Sequence, residues 1–238
     1  MNNISISVLI PVKTGYEYLF ETVESVRNQT FTNWELIIGI NGHPFNSFIY
    51  KLAQLYEEID KIRVIDYGED MCGKANTLNT MVQEAKYNHI CILDVDDLWE
   101  PSKLEVQISE LIKYGHPNET IIGTKCRYFG SFTYIPHVET GVILKSSFFE
   151  RNQIINSSSM IPKKYAFWDI NAPFGLEDYD LWLRLGLKDE IMFVNIPEIL
   201  VLHRYHRDST FNDDNKKYLN ILLDKWAPLY GIEKYKIK

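Results

Sequence analysis

The feature that most constrains this chain is a rhythm in its first 97 residues, where short β-rich apolar runs alternate with stretches of helical spacing. Ile4 to Val12, Trp34 to Ile40 (WELIIGI), Ile62 to Ile65 and His89 to Leu93 (HICIL) read as buried strands. The first ends at Pro11 and Gly15, the second at Asn41-Gly42. Between them, Leu19, Val23 and Val26 recur at helical spacing with Thr22 beside them. Phe48 to Ile59 is helical in pattern, and Gly73 opens a helix through Leu78, Met81, Val82 and Ala85. Strand and helix in this alternation predict a parallel sheet wrapped by helices. The strand ends then gather on one edge, where ligands of open α/β sheets sit. Residues 1–97 therefore read as a nucleotide-binding half, although no GxGxxG follows the first strand and a dinucleotide site is not expected.

After Pro101 the rhythm changes. A helix is predicted from about Ser102 to Tyr114, then β-rich segments at Ile121 to Phe129 and Val142 to Leu144, and an Asn/Ser-rich loop from Asn152 to Ser159. A helix near Asp178 to Leu187, a strand near Ile191 to Val194 and an amphipathic helix from Tyr218 to Tyr230 follow. No repeat or clear linker divides the chain, so a single domain over 1–238 is expected.

With 238 residues, 45% of them hydrophobic, the chain can bury a substantial core. A net charge of -7 argues against a protein that grips nucleic acid, yet leaves room for a phosphorylated small molecule held by local cations and a metal. Cys72, Cys91 and Cys126 form no CxxC pair and read as reduced thiols, not a zinc site. The start, MNNISISVLIPV, lacks a signal peptide's pattern, and nowhere do 18 apolar residues run together. A cytoplasmic protein with no transmembrane segment is expected, with peripheral membrane contact left open. The Asn-x-Ser/Thr matches at Asn28, Asn118 and Asn156 then carry no glycan.

Asp94-Val95-Asp96-Asp97 directly follows HICIL. Carboxylates crowded at a strand exit repel one another, and a hard divalent cation sharing phosphate oxygens relieves the repulsion. Strand alternation puts Asp94 and Asp96 on one side. The simpler alternative is that Asp96 or Asp97 caps the helix after Pro101. In the run Gly175 to Arg184 (GLEDYDLWLR), Glu177 and Asp178 fall where a helix begins, with Leu181, Trp182 and Leu185 on its buried face. An acidic pair there commonly serves the helix dipole. Asp180 and Arg184 are spaced for an ion pair. His203-Arg204-Tyr205-His206-Arg207-Asp208-Ser209 follows a strand-like EILVL.

The string from Gly73 to Gln107, GKANTLNTMVQEAKYNHICILDVDDLWEPSKLEVQ, resembles the core of family 2 glycosyltransferases of the GT-A fold. There a GKA...LN helix leads to a hydrophobic strand and a D-x-D-D. The opening ISVLIPVKTGYEYLFETVESVRNQTFTNWELII resembles the family's first strand, helix and second strand, and the likeness extends to about residue 210. It implies an α/β GT-A fold: a mixed, mainly parallel sheet flanked by helices, with a nucleotide-sugar half (about 1–97) fused to an acceptor half (about 98–238). It implies an inverting, metal-dependent transfer of one sugar, as in glycan or polysaccharide biosynthesis, from a UDP-sugar to a glycan or other hydroxyl acceptor.

Residue by residue, the resemblance implies that Asp96 binds Mn2+ or Mg2+ and that Asp94 holds the ribose or assists the metal. Pro11 and Val12 would line the base pocket, and Lys74 would face the nucleotide. Asn41 stands where the family usually has an acid; it can hydrogen-bond a uracil edge, or simply form an Asn-Gly turn. The family's ED-x-D-L-W-x-R places the catalytic base at Asp178, with Glu177 contacting the acceptor or orienting the base. Its R-x-H-x-x-S falls on Arg204, His206 and Ser209. His206 would complete the metal site or touch the diphosphate, and Arg204 or Arg207 would neutralise it. The Q-x-x-R-W of processive members is absent. Alternative readings are a catalytically inactive relative that binds sugars or partners, and a sugar nucleotidyltransferase, for whose Gly-rich basic loop PVKTGYEYL is a poor match.

Overall fold

The computed structural model describes residues 4–71, 73–206 and 216–235; Cys72, Arg207, Asp208 and Ser209 lie outside them. Strands β1 (Ile6–Val12) and β2 (Trp34–Ile40) are buried almost throughout, and they pair in parallel from Ile6 opposite Trp34 to Val12 opposite Ile40. β3 (Ile62–Asp66) adds in parallel to the outer side of β2, and β4 (His89–Ile92) in parallel to the other side of β1. The connections are α1 (Leu19–Arg27), α2 (Phe48–Gln54) and α3 (Lys74–Glu84). Beyond them come β5 (Leu98–Trp99), α4 (Lys103–Tyr114), β6 (Thr120–Gly130), β7 (Gly141–Val142), β8 (Met160–Pro162), α5 (Glu177–Gly186), β9 (Met192–Tyr205) and α6 (Lys216–Trp226).

Among the described residues all nine strands form one sheet in the order β3-β2-β1-β4-β8-β6-β9-β5, with β7 on β9. The first four strands are parallel; β8 then runs antiparallel to both β4 and β6, while β6 and β9 are parallel. One sheet therefore continues from the regular half into the irregular one. Alternate side chains serve two cores. Val8, Ile10, Leu36 and Ile38 pack with α1, α2 and α4 on one face, whereas Leu9, Ile37, Ile90 and Ile92 pack with α3, α5 and α6 on the other. Both faces being covered, β1, β2 and β4 are near-continuous apolar runs. Each such side chain contributes about 1.5–3 kcal/mol by leaving water.

Several boundaries differ from expectation. The helix begun at Phe48 stops at Gln54, and Leu55 and Tyr56 bond back only three residues, to Leu52 and Ala53. Glu57, Glu58 and Asp60 would bring negative charge to the negative end of a longer helix. The predicted Ile191 to Val194 strand and the EILVL run are one strand, β9. Its register against β6 jumps from Ile196 opposite Thr124 to Ile199 opposite Lys125, which leaves Pro197 and Glu198 outside the ladder. Proline has no N–H for the ladder, and a bulge accommodates it. The C-terminal helix ends at Trp226 and tightens into a 3-10 turn over Ala227–Tyr230 that contains Pro228. No described helix is long and apolar enough to cross a membrane.

Candidate functional site

The acidic run leaves β4 in a turn closed by the Asp97 amide on the Asp94 carbonyl at 3.0 Å. From α1, the Thr22 hydroxyl donates to the Val95 and Asp97 carbonyls, at 2.6 and 3.1 Å, and holds the turn against the sheet. The three aspartates then part company.

Asp97 points inward and is fully buried. Its Oδ2 accepts from Ser157 Oγ at 2.5 Å and His203 Nδ1 at 2.8 Å, and its Oδ1 accepts from the Arg204 amide at 2.8 Å. Neither Asp96 nor Asp97 caps the following helix: Gln29 Oε1 accepts from the Leu104 amide at the start of α4 instead. Burial by itself would lower the His203 imidazole, but the carboxylate of Asp97, with Asp94 and Asp96 behind it, raises it to about 9.

Asp94 is paired. Lys74 Nζ, from the start of α3, lies 2.5 Å from Oδ1, and the Asn156 amide donates to both oxygens at 3.2 and 3.4 Å. Burial pushes the Asp94 carboxyl up, but Lys74 and the Asn156 bond outweigh it, so it stays below the usual range. Lys74 in turn is kept protonated against its desolvation by Asp94, Glu177 and Asp178 together. This one lysine thus links the β4 exit to the start of α5.

Asp96 meets His206, whose Nε2 lies 2.9 Å from Oδ2. Burial, then the charges of Asp97 and Asp94, raise the Asp96 carboxyl, and the His206 bond only partly offsets them. Arg204 is engaged by its neighbours: Nε donates to the Asp96 carbonyl at 2.9 Å, a terminal nitrogen meets Glu21, and its guanidinium lies 4.3 Å from the ring centres of both Tyr18 and Phe129. Among the described residues no group of three or more His, Cys, Asp or Glu side chains is arranged to hold a metal ion by itself.

At α5, Glu177 and Asp178 occupy the first turn, and Leu176 before them supplies no capping side chain. Asp178 Oδ2 accepts from Asn152 at 3.0 Å. Burial raises its carboxyl to about 6, against Lys74 and the Asn152 bond, which pull it down. The loop before α5 is held to α3 by Asn79, which exchanges two 2.8 Å hydrogen bonds with the Trp168 backbone. Asp180 does not pair with Arg184. It is fully buried and accepts from Lys225 at 2.8 Å and the Trp226 indole at 2.9 Å, because α6 covers that face of α5.

The expected base-pocket residues stand at the same sheet edge. Val12 is fully buried in the core, so Pro11 alone of the two has exposed side-chain surface. Asn41 is buried, its amide 3.5 Å from the Met71 carbonyl, and Gly42 beside it is left-handed at φ 71°. Its N–H side is directed at protein. Sequence reasoning missed Asn152, Asn156 and Ser157, which lie in a stretch read as loop, and gave His203 no role. The signal was there as a cluster of amides and hydroxyls, but such residues are equally common in wet loops.

A family model described as "Glycosyl transferase family 2" matches residues 7–166. The chain is 30% identical over 214 residues to the O-antigen biosynthesis glycosyltransferase WbnJ of Escherichia coli, covering 86% of this chain and 81% of that one. It is 29% identical over 214 residues to an uncharacterized glycosyltransferase of Rickettsia bellii, covering 85% of this chain but only 30% of that longer protein. In fold it is similar to residues 1–349 of TarS from S. aureus in complex with UDP-GlcNAc: TM-score 0.72, 12% identity, 93% of this chain and 66% of that one covered. A mixed, mostly parallel sheet flanked by helices, with an acidic turn at the exit of its fourth strand, is the GT-A arrangement, and the chain belongs to glycosyl transferase family 2.

Proposed function

We propose that the protein transfers one sugar from a UDP-sugar to an acceptor hydroxyl with inversion, and that it serves polysaccharide biosynthesis. The observation that carries this reading is Asp178: a carboxylate raised to about 6, linked through Lys74 to the acidic turn at the β4 exit. A general base works best with a pKa near the working pH. In the proposed step the acceptor O–H proton passes to the Asp178 carboxylate as the acceptor oxygen bonds to the anomeric carbon. The bond from that carbon to the diphosphate breaks on the opposite face, and UDP departs. Attack and departure on opposite faces invert the configuration. Glu177, beside the base, contacts the acceptor or orients Asp178.

The donor half is assigned to about 1–97 and the acceptor half to about 98–238. Pro11 and Asn41 lie at the edge given to the base, Asp94 and Lys74 at ribose and phosphates, and Arg204 behind Asp96. That TarS holds UDP-GlcNAc supports a uridine donor. The residues present fit Mn2+ or Mg2+. Asp96 Oδ2 and His206 Nε2, 2.9 Å apart, offer an oxygen and a nitrogen lone pair at one point, in a field of crowded carboxylates. Two protein ligands suffice where substrate phosphates and water complete the shell. The chemistry such an ion supplies when bound is neutralisation of the departing diphosphate.

The test is release of UDP from a panel of UDP-sugars, with glycan acceptors and with water alone, in the presence of Mn2+. Turnover that Asp178→Asn abolishes while UDP affinity survives is the expected result. Turnover of the folded variant equal to wild type would overturn the assignment.

A further inference from the structure

Beneath the acidic turn lies a buried polar frame that the proposed chemistry does not use. Lys103, in the first turn of α4, is fully buried, and its Nζ donates to Gln107 Oε1 at 2.7 Å. A lysine ammonium can only donate, so the orientation of the Gln107 amide is decided: its oxygen faces Lys103 and its NH2 faces away. Both N–H groups are used, one on the Ile122 carbonyl at 3.0 Å and one on the Ser158 carbonyl at 2.8 Å. Lys103 reaches the same segment by a second route. Its Nζ lies 3.9 Å from the centre of the Trp99 ring, and the Trp99 indole donates to the Ser157 carbonyl at 2.7 Å.

Both routes end on the 3-10 turn Asn156–Ser158, which carries the groups that sort the aspartates. Asn156 holds the Asp94 carboxylate. Ser157 Oγ accepts from the Asp94 amide at 3.1 Å while donating to Asp97. We propose that Lys103 and Gln107 are positioning residues for the donor side of the site, acting through the Asn156–Ser158 turn on Asp94 and Asp97. The proposal rests on the reading of that side as a UDP-sugar site. Asp178 takes its hydrogen bond from Asn152, outside the turn. Burying an ammonium has a cost: burial lowers Lys103 to about 8, and a long apolar residue would fill the place more cheaply. The orientation of one amide is what the charge supplies.

Two variants test this, Lys103→Met and the double variant Lys103→Met/Gln107→Leu. The single variant leaves the Gln107 oxygen buried without a donor. The double variant removes that buried oxygen but takes the Gln107 donors from the Ile122 and Ser158 carbonyls, so it too is expected to lose thermal stability. If the frame only stabilises the fold, the folded fraction of both variants binds UDP as wild type does. If it positions the turn, UDP affinity in Mn2+ stays weakened by roughly 10-fold in both variants, the usual cost of losing an orienting partner. Amide exchange at Asp94, Ser158 and Ser159 is then faster than in wild type. UDP affinity and exchange within twofold of wild type in both variants would overturn the proposal. Should either fail to fold, Gln107→Glu keeps the partner of Lys103, loses both N–H donors, and carries the same expectation. Wild-type UDP binding is measured first. If it is absent, the donor assignment fails, and the exchange experiment still decides whether the frame holds the turn.

Discussion

Replacing Asp178 by Asn should make the protein more stable and less active at once. The carboxyl is raised from 3.8 to about 6 in the folded protein, so the fold favours its protonated form. The sign follows from linkage: a raised acid penalises folding once the pH exceeds its unfolded value of 3.8, and the penalty is complete above about 6. That difference corresponds to about 3 kcal/mol, an upper value for a side chain that is not fully enclosed. Asparagine removes the charge and keeps an oxygen for Asn152, so about 1–3 kcal/mol of added stability is expected at pH 7.5. For a chain of this size that is about 2–4 °C in Tm for each kcal/mol. Chemical denaturation of both proteins between pH 4 and 8 provides the check: the gain should grow from pH 4 to 6.5 and then level off. Turnover should fall by roughly 10²–10⁴-fold with UDP affinity retained, and wild-type kcat/KM should lose activity below about 6. A variant no more stable than wild type at pH 7.5 would refute the electrostatic reasoning, whatever its activity.

His203 works in the opposite sense. Its raised value of about 9 contributes stability that is complete below 6.5 and lost as the pH rises through 9, up to about 3 kcal/mol; denaturation at pH 7 and 9.5 should show this loss in wild type and not in His203→Gln. Asp97→Ala leaves three donors, Ser157 Oγ, His203 Nδ1 and the Arg204 amide, without their buried acceptor and should cost about 3–5 kcal/mol by urea unfolding at pH 7. Asp96→Ala should leave the melting temperature within a few degrees of wild type and abolish the Mn2+ dependence of UDP affinity measured by calorimetry, an outcome His206→Ala should reproduce in part.

The helix and strand order of the first 97 residues was legible because it is written in short-range pattern. Runs such as WELIIGI and HICIL are apolar at nearly every position, Glu35 and His89 being the exceptions, and a strand covered on both faces is written that way. The placing of three carboxylates at the β4 exit and two at the start of α5 follows from the same local pattern. The elements after residue 101 were read less well, since Pro197 breaks the apparent continuity of β9 and the Asn156–Ser158 turn has no periodicity.

What each carboxylate does was decided only by the tertiary structure. Asp94, Asp96 and Asp97 are near-identical in sequence terms, yet one meets Lys74 and Asn156, one His206, and one Ser157 and His203. Their partners come from 20 residues before and up to 110 residues after, on α3, the Asn156–Ser158 turn and β9 or just beyond its end. Charge, burial and hydrogen bonding act over a few ångströms of space, and distance along the chain does not measure that. So the sequence by itself determined the sheet and put acids at the ends of its elements. The meeting of α3, the Asn156–Ser158 turn, the end of β9 and the start of α5 at the exit of β4 determined which acid pairs with a lysine, which two meet a histidine, and which titrates near neutrality.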